Sequence, residues 1–316
     1  MHLSIFNFKN IGKERFLWII PFLLLFIGVF HYCAPKTDEK RVIENNSFWK
    51  KKTFDKKKYD VVIGGDSRVY RGISPGAMQT VLKGFRIINF GYGSAGYSDH
   101  MLSEIDKRID YKSSHKIVVL GITPLTLTHE GVMNYHMEFD MKTKPEELIE
   151  MFYFKKVLQF FAPFTVKQVW DKMRGKEFST SFHQEYIPGG WVASTEDKPW
   201  PESALKSYST RFIDNQVDEK NIQRVLDQVK SWTEEGVIVV GMRPPTTHKM
   251  VELEDSLSGY NEIDIKTRFI NSGGCWFDFN IDDYSSFDGS HLQRESAVKF
   301  STDLANKIKT NCLEKQ

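Results

Sequence analysis

The chain has 316 residues, a formal net charge of +2, 41% apolar residues and 27% charged residues. That balance supplies a packed core but no dense basic surface for nucleic acid. No P-loop, dinucleotide-binding glycine pattern or zinc-ligand spacing occurs, so those classes drop out and no metal or cofactor is expected.

Residues 1–35 read as a cytoplasmic tail and membrane anchor. Residues 16–33, Phe-Leu-Trp-Ile-Ile-Pro-Phe-Leu-Leu-Leu-Phe-Ile-Gly-Val-Phe-His-Tyr-Cys, hold no Asp, Glu, Lys or Arg. A run of this length just spans a bilayer core of about 30 Å. Lys9, Lys13 and Arg15 precede it, the layout of a signal anchor. His31-Tyr32-Cys33 is too bulky for signal-peptide cleavage, and Tyr32 before Cys33 does not suit a lipoprotein site. The expectation is a single-pass protein of the cell membrane whose body is extracytoplasmic, either periplasmic or extracellular. Residues 36–58 are polar and lysine-rich, which predicts a solvated stalk; contact with anionic lipid headgroups is the alternative.

From residue 59 to 316 short apolar runs alternate with helical patterns. Runs at 59–65, 86–90, 116–121, 237–241 and 275–279 read as buried strands. Ser98 can cap a helix reaching about Ile109, and Asp218 one reaching about Glu235, with Ile222, Val225, Leu226, Val229 and Trp232 at helical spacing. A last helix is expected over Arg294–Lys309. Continuous apolar strands alternating with helices imply a parallel, doubly wound α/β sheet, whose sites form at the strands' carboxyl ends. Residues 130–215 break the alternation. They read as an insertion at the carboxyl edge of the third strand, placed to form a lid or substrate wall, with a helix near Pro145–Phe161. Its tryptophans Trp191 and Trp200 suit either sugar stacking or packing onto the core. Of the three cysteines, Cys33, Cys275 and Cys312, Cys275 is expected as a small core residue, and a Cys275–Cys312 bridge stays open.

Two short motifs carry chemistry. Gly64-Gly65-Asp66-Ser67-Arg68 ends the first strand, where a serine projects from a strand–helix turn rich in backbone N–H groups. Asp288-Gly289-Ser290-His291 precedes the last helix. An aspartate three residues before a histidine can orient the imidazole, which can deprotonate the serine.

Together these blocks resemble the SGNH (GDSL-like) hydrolase and acyltransferase superfamily, across residues 59–125 and 235–305. Ile-Gly-Gly-Asp-Ser-Arg is similar to its first block. Asn89-Phe90-Gly91 is similar to the second, and Asp288-Gly289-Ser290-His291-Leu292 to the last. The resemblance implies a flavodoxin-like three-layer sandwich of about five parallel strands, catalysis by Ser67, Asp288 and His291, and an oxyanion hole from Ser67, Gly91 and Thr123. Thr123 stands where the family pattern has asparagine, in Gly121-Ile122-Thr123-Pro124. Losing one oxyanion donor costs on the order of 3 kcal/mol of transition-state stabilisation. The Asp-Ser-Arg opening and the anchor resemble divergent membrane-anchored members associated with polysaccharide O-acylation.

Arg68 and Arg243 are candidate binders of a substrate anion, with a salt bridge as the competing role for Arg68. His129, His136, His183 and His248 lack ligand spacing and read as surface or hydrogen-bonded structural residues, and His100, at a helix start, reads as solvent-facing. The expected function is a membrane-anchored serine esterase or O-acyltransferase acting on acyl esters, acetyl by resemblance, of a cell-surface glycan or lipid-linked saccharide. An acyl donor or membrane acyltransferase is the expected partner, and nucleic acid is not. The alternative is a catalytically silent relative that docks to such an acyltransferase or binds glycan.

Overall fold

The computed structural model describes residues 18–19, 21–26, 28, 47–133, 140–150, 153, 174 and 181–314. The chain divides into two compact units, residues 1–47 with 144–179 and residues 48–143 with 180–316. In the first, Pro145–Ile149 is a helix with proline in its first turn. The rest of the helix expected to Phe161 lies largely outside the described residues, as do His136 and half of the expected anchor. Among the described residues no helix is long and apolar enough to cross a membrane.

Among the described residues the second unit holds seven strands: β1 (Val61–Gly64), β2 (Ile87–Asn89), β3 (Ile117–Gly121), β4 (Phe182–Ile187), β5 (Trp191–Glu196), β6 (Ile238–Met242) and β7 (Cys275–Trp276). Five form one parallel sheet in the order β2-β1-β3-β6-β7, the flavodoxin-like winding, and β4–β5 is an antiparallel hairpin. Its principal helices are α1 (Ser67–Gly72), α2 (Pro75–Val81), α3 (Asp99–Asp106), α4 (Leu205–Arg211), α5 (Glu219–Glu234), α6 (His248–Ser258), α7 (Glu262–Asn271) and α8 (Arg294–Ile308).

Strand side chains alternate between two cores because the strand period is two. Val62, Val118, Leu120 and Val239 face the side covered by Ile105 of α3, Val229 and Trp232 of α5 and Phe269 of α7. Val61, Ile63, Val119 and Val240 face Val69 of α1, Met78 of α2 and Ala297, Phe300 and Leu304 of α8. With both faces covered, the strands need no polar alternation. Each fully buried aliphatic side chain contributes about 1.5–3 kcal/mol before chain entropy is counted. Side-chain caps set the helix starts: Ser98 accepts from Met101 N–H, Asp218 from Lys220, Thr247 from Met250 and Asn261 from Asp264.

Two expectations are corrected. Within the stretch expected to be a stalk, residues 48–53 are helical, and Lys52 and Thr53 are buried. The Lys52 ammonium donates to Gly91 O (2.5 Å) and Gly190 O (3.1 Å) and lies 5.0 Å from the ring centres of both Trp49 and Tyr92. Arg108 reaches back to Thr53 O (2.8 Å). Carbonyls and aromatic faces thus replace water around a lysine that composition alone assigns to solvent. Cys275 is exposed, not buried. It lies on the two-residue edge strand β7, and alternation turns Trp276 inward in its place.

Within the second unit, the stretch expected as an insertion contributes the β4–β5 hairpin. The β4–β5 tip carries Gly189 and Gly190 at φ +92° and +96°. Gly189 O accepts from Asn89 N–H (2.8 Å), and a Cβ on Gly190 would meet Asn89 O at 1.9 Å. Only glycine permits that approach at positive φ. Trp191 is 4% exposed and packs beside α1, whereas Trp200 is 66% exposed, so the two tryptophans take different environments.

Candidate active site

β1 runs into Gly64-Gly65, and Asp66 caps the next helix: its Oδ1 accepts from Arg68 N–H (2.9 Å). This starts α1 at Ser67, at the carboxyl end of the sheet. The Ser67 N–H is one of the orphan donors of a helix start. Before α8, Asp288 Oδ1 accepts from the N–H groups of Ser290 (2.8 Å) and His291 (2.7 Å), closing a tight turn. Gly289, at φ +96°, completes it.

That turn brings 67, 288 and 291 together across 224 residues of sequence. His291 Nδ1 is 2.7 Å from Asp288 Oδ2, and His291 Nε2 is 2.8 Å from Ser67 Oγ. Phe287 stacks on the imidazole with ring centres 5.7 Å apart. Burial raises the Asp288 carboxyl, but the hydrogen bond and charge of His291 and the two backbone donors outweigh it and bring the pKa down to about 2. Burial lowers the His291 pKa; Asp288 opposes this, and the charges of Arg71 and Arg68 add to it. The net result is a neutral imidazole at neutral pH, held by a carboxylate in the tautomer that leaves Nε2 facing Ser67. Such an arrangement can take the Ser67 proton as the oxygen attacks an acyl carbon.

The expected oxyanion donors fare differently. The Thr123 hydroxyl donates to Asp66 Oδ2 (2.8 Å), and Thr123 is fully buried. Its role is therefore corrected from oxyanion donor to brace of the α1 cap. Gly91 N–H donates to Asn89 Oδ1 (3.0 Å), which withdraws it as well in this conformation. Asn89 is itself pinned through Nδ2 to Val69 O (2.8 Å) and Ile73 O (2.7 Å). Among the described residues, no hydrogen bond occupies the Ser67 N–H, the third member of the expected trio.

Arg68 and Arg243 are also corrected. Arg68 is 2% exposed and meets Glu254 through two hydrogen bonds (2.6 and 3.1 Å), while its Nε donates to Ser290 Oγ (3.0 Å). Arg243 contacts Glu254 (3.0 Å), Asp255 (2.8 Å) and Glu262 (3.0 Å). Both guanidiniums are engaged by carboxylates inside the fold, Arg68 at Glu254 and Arg243 at Glu254, Asp255 and Glu262, while Arg243 Nε is buried without a partner. Arg68 instead ties the residue after Ser67 to the residue before His291, and the Ser290 hydroxyl continues to Tyr208 Oη (2.6 Å).

Glu254, Ser290 and Tyr208 escaped the sequence reading. Glu254 sits in His-Lys-Met-Val-Glu-Leu-Glu-Asp, which reads as an ordinary solvated face. Its partner lies 186 residues away, so no local pattern could mark it. Among the five histidines set aside, His183 and His248 meet Asp197 (3.3 Å) and Asp282 (2.9 Å) at exposed positions. Residues 200–204 also brace the turn before α8: Trp200 N–H donates to Phe287 O (2.8 Å) and Ala204 N–H to Asp288 O (3.0 Å). A polar groove of about 720 Å³ between α3 and α5 contains none of these side chains.

No family model matches this chain, and no curated protein does. Among solved structures, it is similar to a protein of Streptococcus pneumonia described as a candidate platelet activating factor. The match covers 94% of this chain and 100% of that one, at 9% identity and a TM-score of 0.37. A likeness of that degree decides nothing about function.

Proposed function

We propose that the chain is a serine esterase or O-acyltransferase of the SGNH type, working through an acyl-Ser67 intermediate. The unbroken chain Ser67 Oγ–His291 Nε2–Asp288, with both contacts under 3 Å at the carboxyl edge of a parallel sheet, carries this reading. Ser67 Oγ attacks the acyl carbonyl carbon as its proton passes to His291 Nε2. The tetrahedral oxyanion leans on Ser67 N–H. Its collapse expels the alkoxide, which takes the proton back from His291. Water or a sugar hydroxyl then repeats the sequence in reverse, giving free acid or a new ester.

Residues 16–33 anchor the protein in the cell membrane with the catalytic unit outside. The described apolar residues there, including Trp18 (76% exposed) and Phe22 (69%), are helical and present their side chains outward, which supports lipid contact. Anchoring favours an acetylated cell-surface glycan or lipid-linked saccharide as substrate, with a membrane acyltransferase as partner. A catalytically silent docking protein is the second reading, favoured by the commitment of Thr123 and Gly91 to other partners.

A fluorophosphonate probe on the full chain separates them. Covalent labelling of Ser67 that disappears in Ser67→Ala and His291→Ala is the expected result. A folded wild-type chain that stays unlabelled overturns the enzyme reading.

A further inference from the structure

Arg71 stands one helical turn after Ser67, in the last turn of α1, so both side chains project from the same helix face. Its guanidinium is half-buried. Nε donates to Tyr70 Oη (3.2 Å) and Nη1 to Ser194 Oγ of β5 (2.6 Å). The rings of Tyr70 and Phe182 lie 5.2 and 5.7 Å from its Cζ. Arg68, Arg108 and Arg243 each meet a carboxylate. Among the described residues, none lies within ion-pair distance of Arg71. What occupies its fork is neutral: with the Gln184 amide turned so that its oxygen faces the guanidinium, that oxygen receives Nη1 at 2.5 Å and Nη2 at 2.8 Å.

A partly desolvated cation without a counter-charge is costly, and a planar fork closed on one oxygen is the geometry that carboxylates and phosphates exploit. The amide is a weak stand-in for such an oxyanion, and Gln184 lies on the half-exposed face of a hairpin strand from which it can turn away. The Arg71 charge also reaches the imidazole: after burial, it is one of the causes that hold His291 below its ordinary pKa.

We infer that Arg71, released from Gln184, is an oxyanion subsite of the Ser67 site, so that the acyl-bearing molecule carries a carboxylate or phosphate about one helical turn from its ester. This rests on the reading of Ser67 as nucleophile. The substrate class narrows to acidic saccharides, either uronate-type or phosphorylated. Arg71 takes the role that sequence assigned to Arg68 and Arg243.

The test is protection of Ser67 from the fluorophosphonate probe on the full chain at constant ionic strength. Three protectants are compared: methyl tetra-O-acetylglucoside, methyl tri-O-acetylglucuronide and methyl tri-O-acetylglucoside 6-phosphate. In the wild type at least one acidic sugar is expected to half-protect at a tenfold lower concentration than the neutral one. Preference for the uronide alone points to a uronate polymer, and preference for the phosphate alone to a phosphorylated glycan. Arg71→Gln should bring the ratio near one, while Arg71→Lys keeps part of it. Gln184→Glu should also bring it near one, because a resident carboxylate takes the fork; a purely structural Arg71 does not predict that. Equal protection by all three sugars in a chain that labels overturns the inference and leaves the esterase reading standing. So does a ratio that persists in Arg71→Gln. A wild-type Ser67 that never labels removes both.

Discussion

Glu254→Gln probes the physical tie between Ser67 and the Asp288–His291 turn. The Glu254 side chain is fully buried and receives Arg68 through two bonds and Arg243 through a third. The substitution conserves volume, so no cavity adds to the loss. It removes one negative charge between two buried cations. Arg243 keeps Asp255 and Glu262, but the hydrogen-bond and ring partners left to Arg68, the Ser290 hydroxyl and the Tyr208 ring at 5.2 Å, are neutral, with the Asp66 charge acting on it without a side-chain bond. Breaking a buried pair by removing one partner costs about 3–5 kcal/mol. That is a large share of the roughly 5–15 kcal/mol that holds a domain folded. Urea denaturation of the variant should show a lower midpoint at unchanged slope. The double replacement Arg68→Met with Glu254→Leu should recover much of the loss, since no orphan charge remains. A Glu254→Gln variant within about 1 kcal/mol of wild type, or a double variant no better than the single one, refutes this account of the network.

Acid should act twice. The imidazole of His291 sits below its ordinary 6.5 and the Asp288 carboxyl near 2 instead of 3.8. In both cases the unfolded chain binds more protons, so stability falls as pH drops below 6.5 and falls again between 3.8 and 2. Thermal melts across that range should show both steps in the wild type and lose the first in His291→Ala. The rate of Ser67 labelling should rise with pH to a midpoint below 6.5, and Arg71→Gln should move that midpoint upward; a downward move contradicts the assigned charge effect. Gly289→Ala forces a Cβ to 2.1 Å from Pro201 O at a positive φ, which costs about 1–3 kcal/mol. It should abolish labelling well before it unfolds the chain, as comparison of labelling with urea melts will show. Deleting residues 48–58 should lower the melting temperature, because Lys52 and Thr53 are buried; an unchanged melt would restore the solvated stalk.

The sheet was legible because parallel strands covered on both faces must be apolar throughout, and Val61–Ile63, Ile117–Leu120 and Val239–Val240 are. Ser98 and Asp218 announced their helices because a cap is a local bond between neighbours in sequence. Ser67, Asp288 and His291 were legible for the same reason: each lies in a short turn whose form its neighbours determine. Pairing was not. Whether a guanidinium faces substrate or carboxylate depends on which distant segment folds against it, and Arg68 meets Glu254 across 186 residues. Thr123 was placed by its position in a motif, yet its hydroxyl went to Asp66, 57 residues earlier. Lys52 reads as solvent-exposed until the Gly91 and Gly190 carbonyls close over it. Local bonding determined the elements and the Asp288–His291 turn from sequence alone. Only tertiary contact decided which charges are spent inside the protein, because burial and long-range partners, not residue type, set the cost of leaving a charge unpaired.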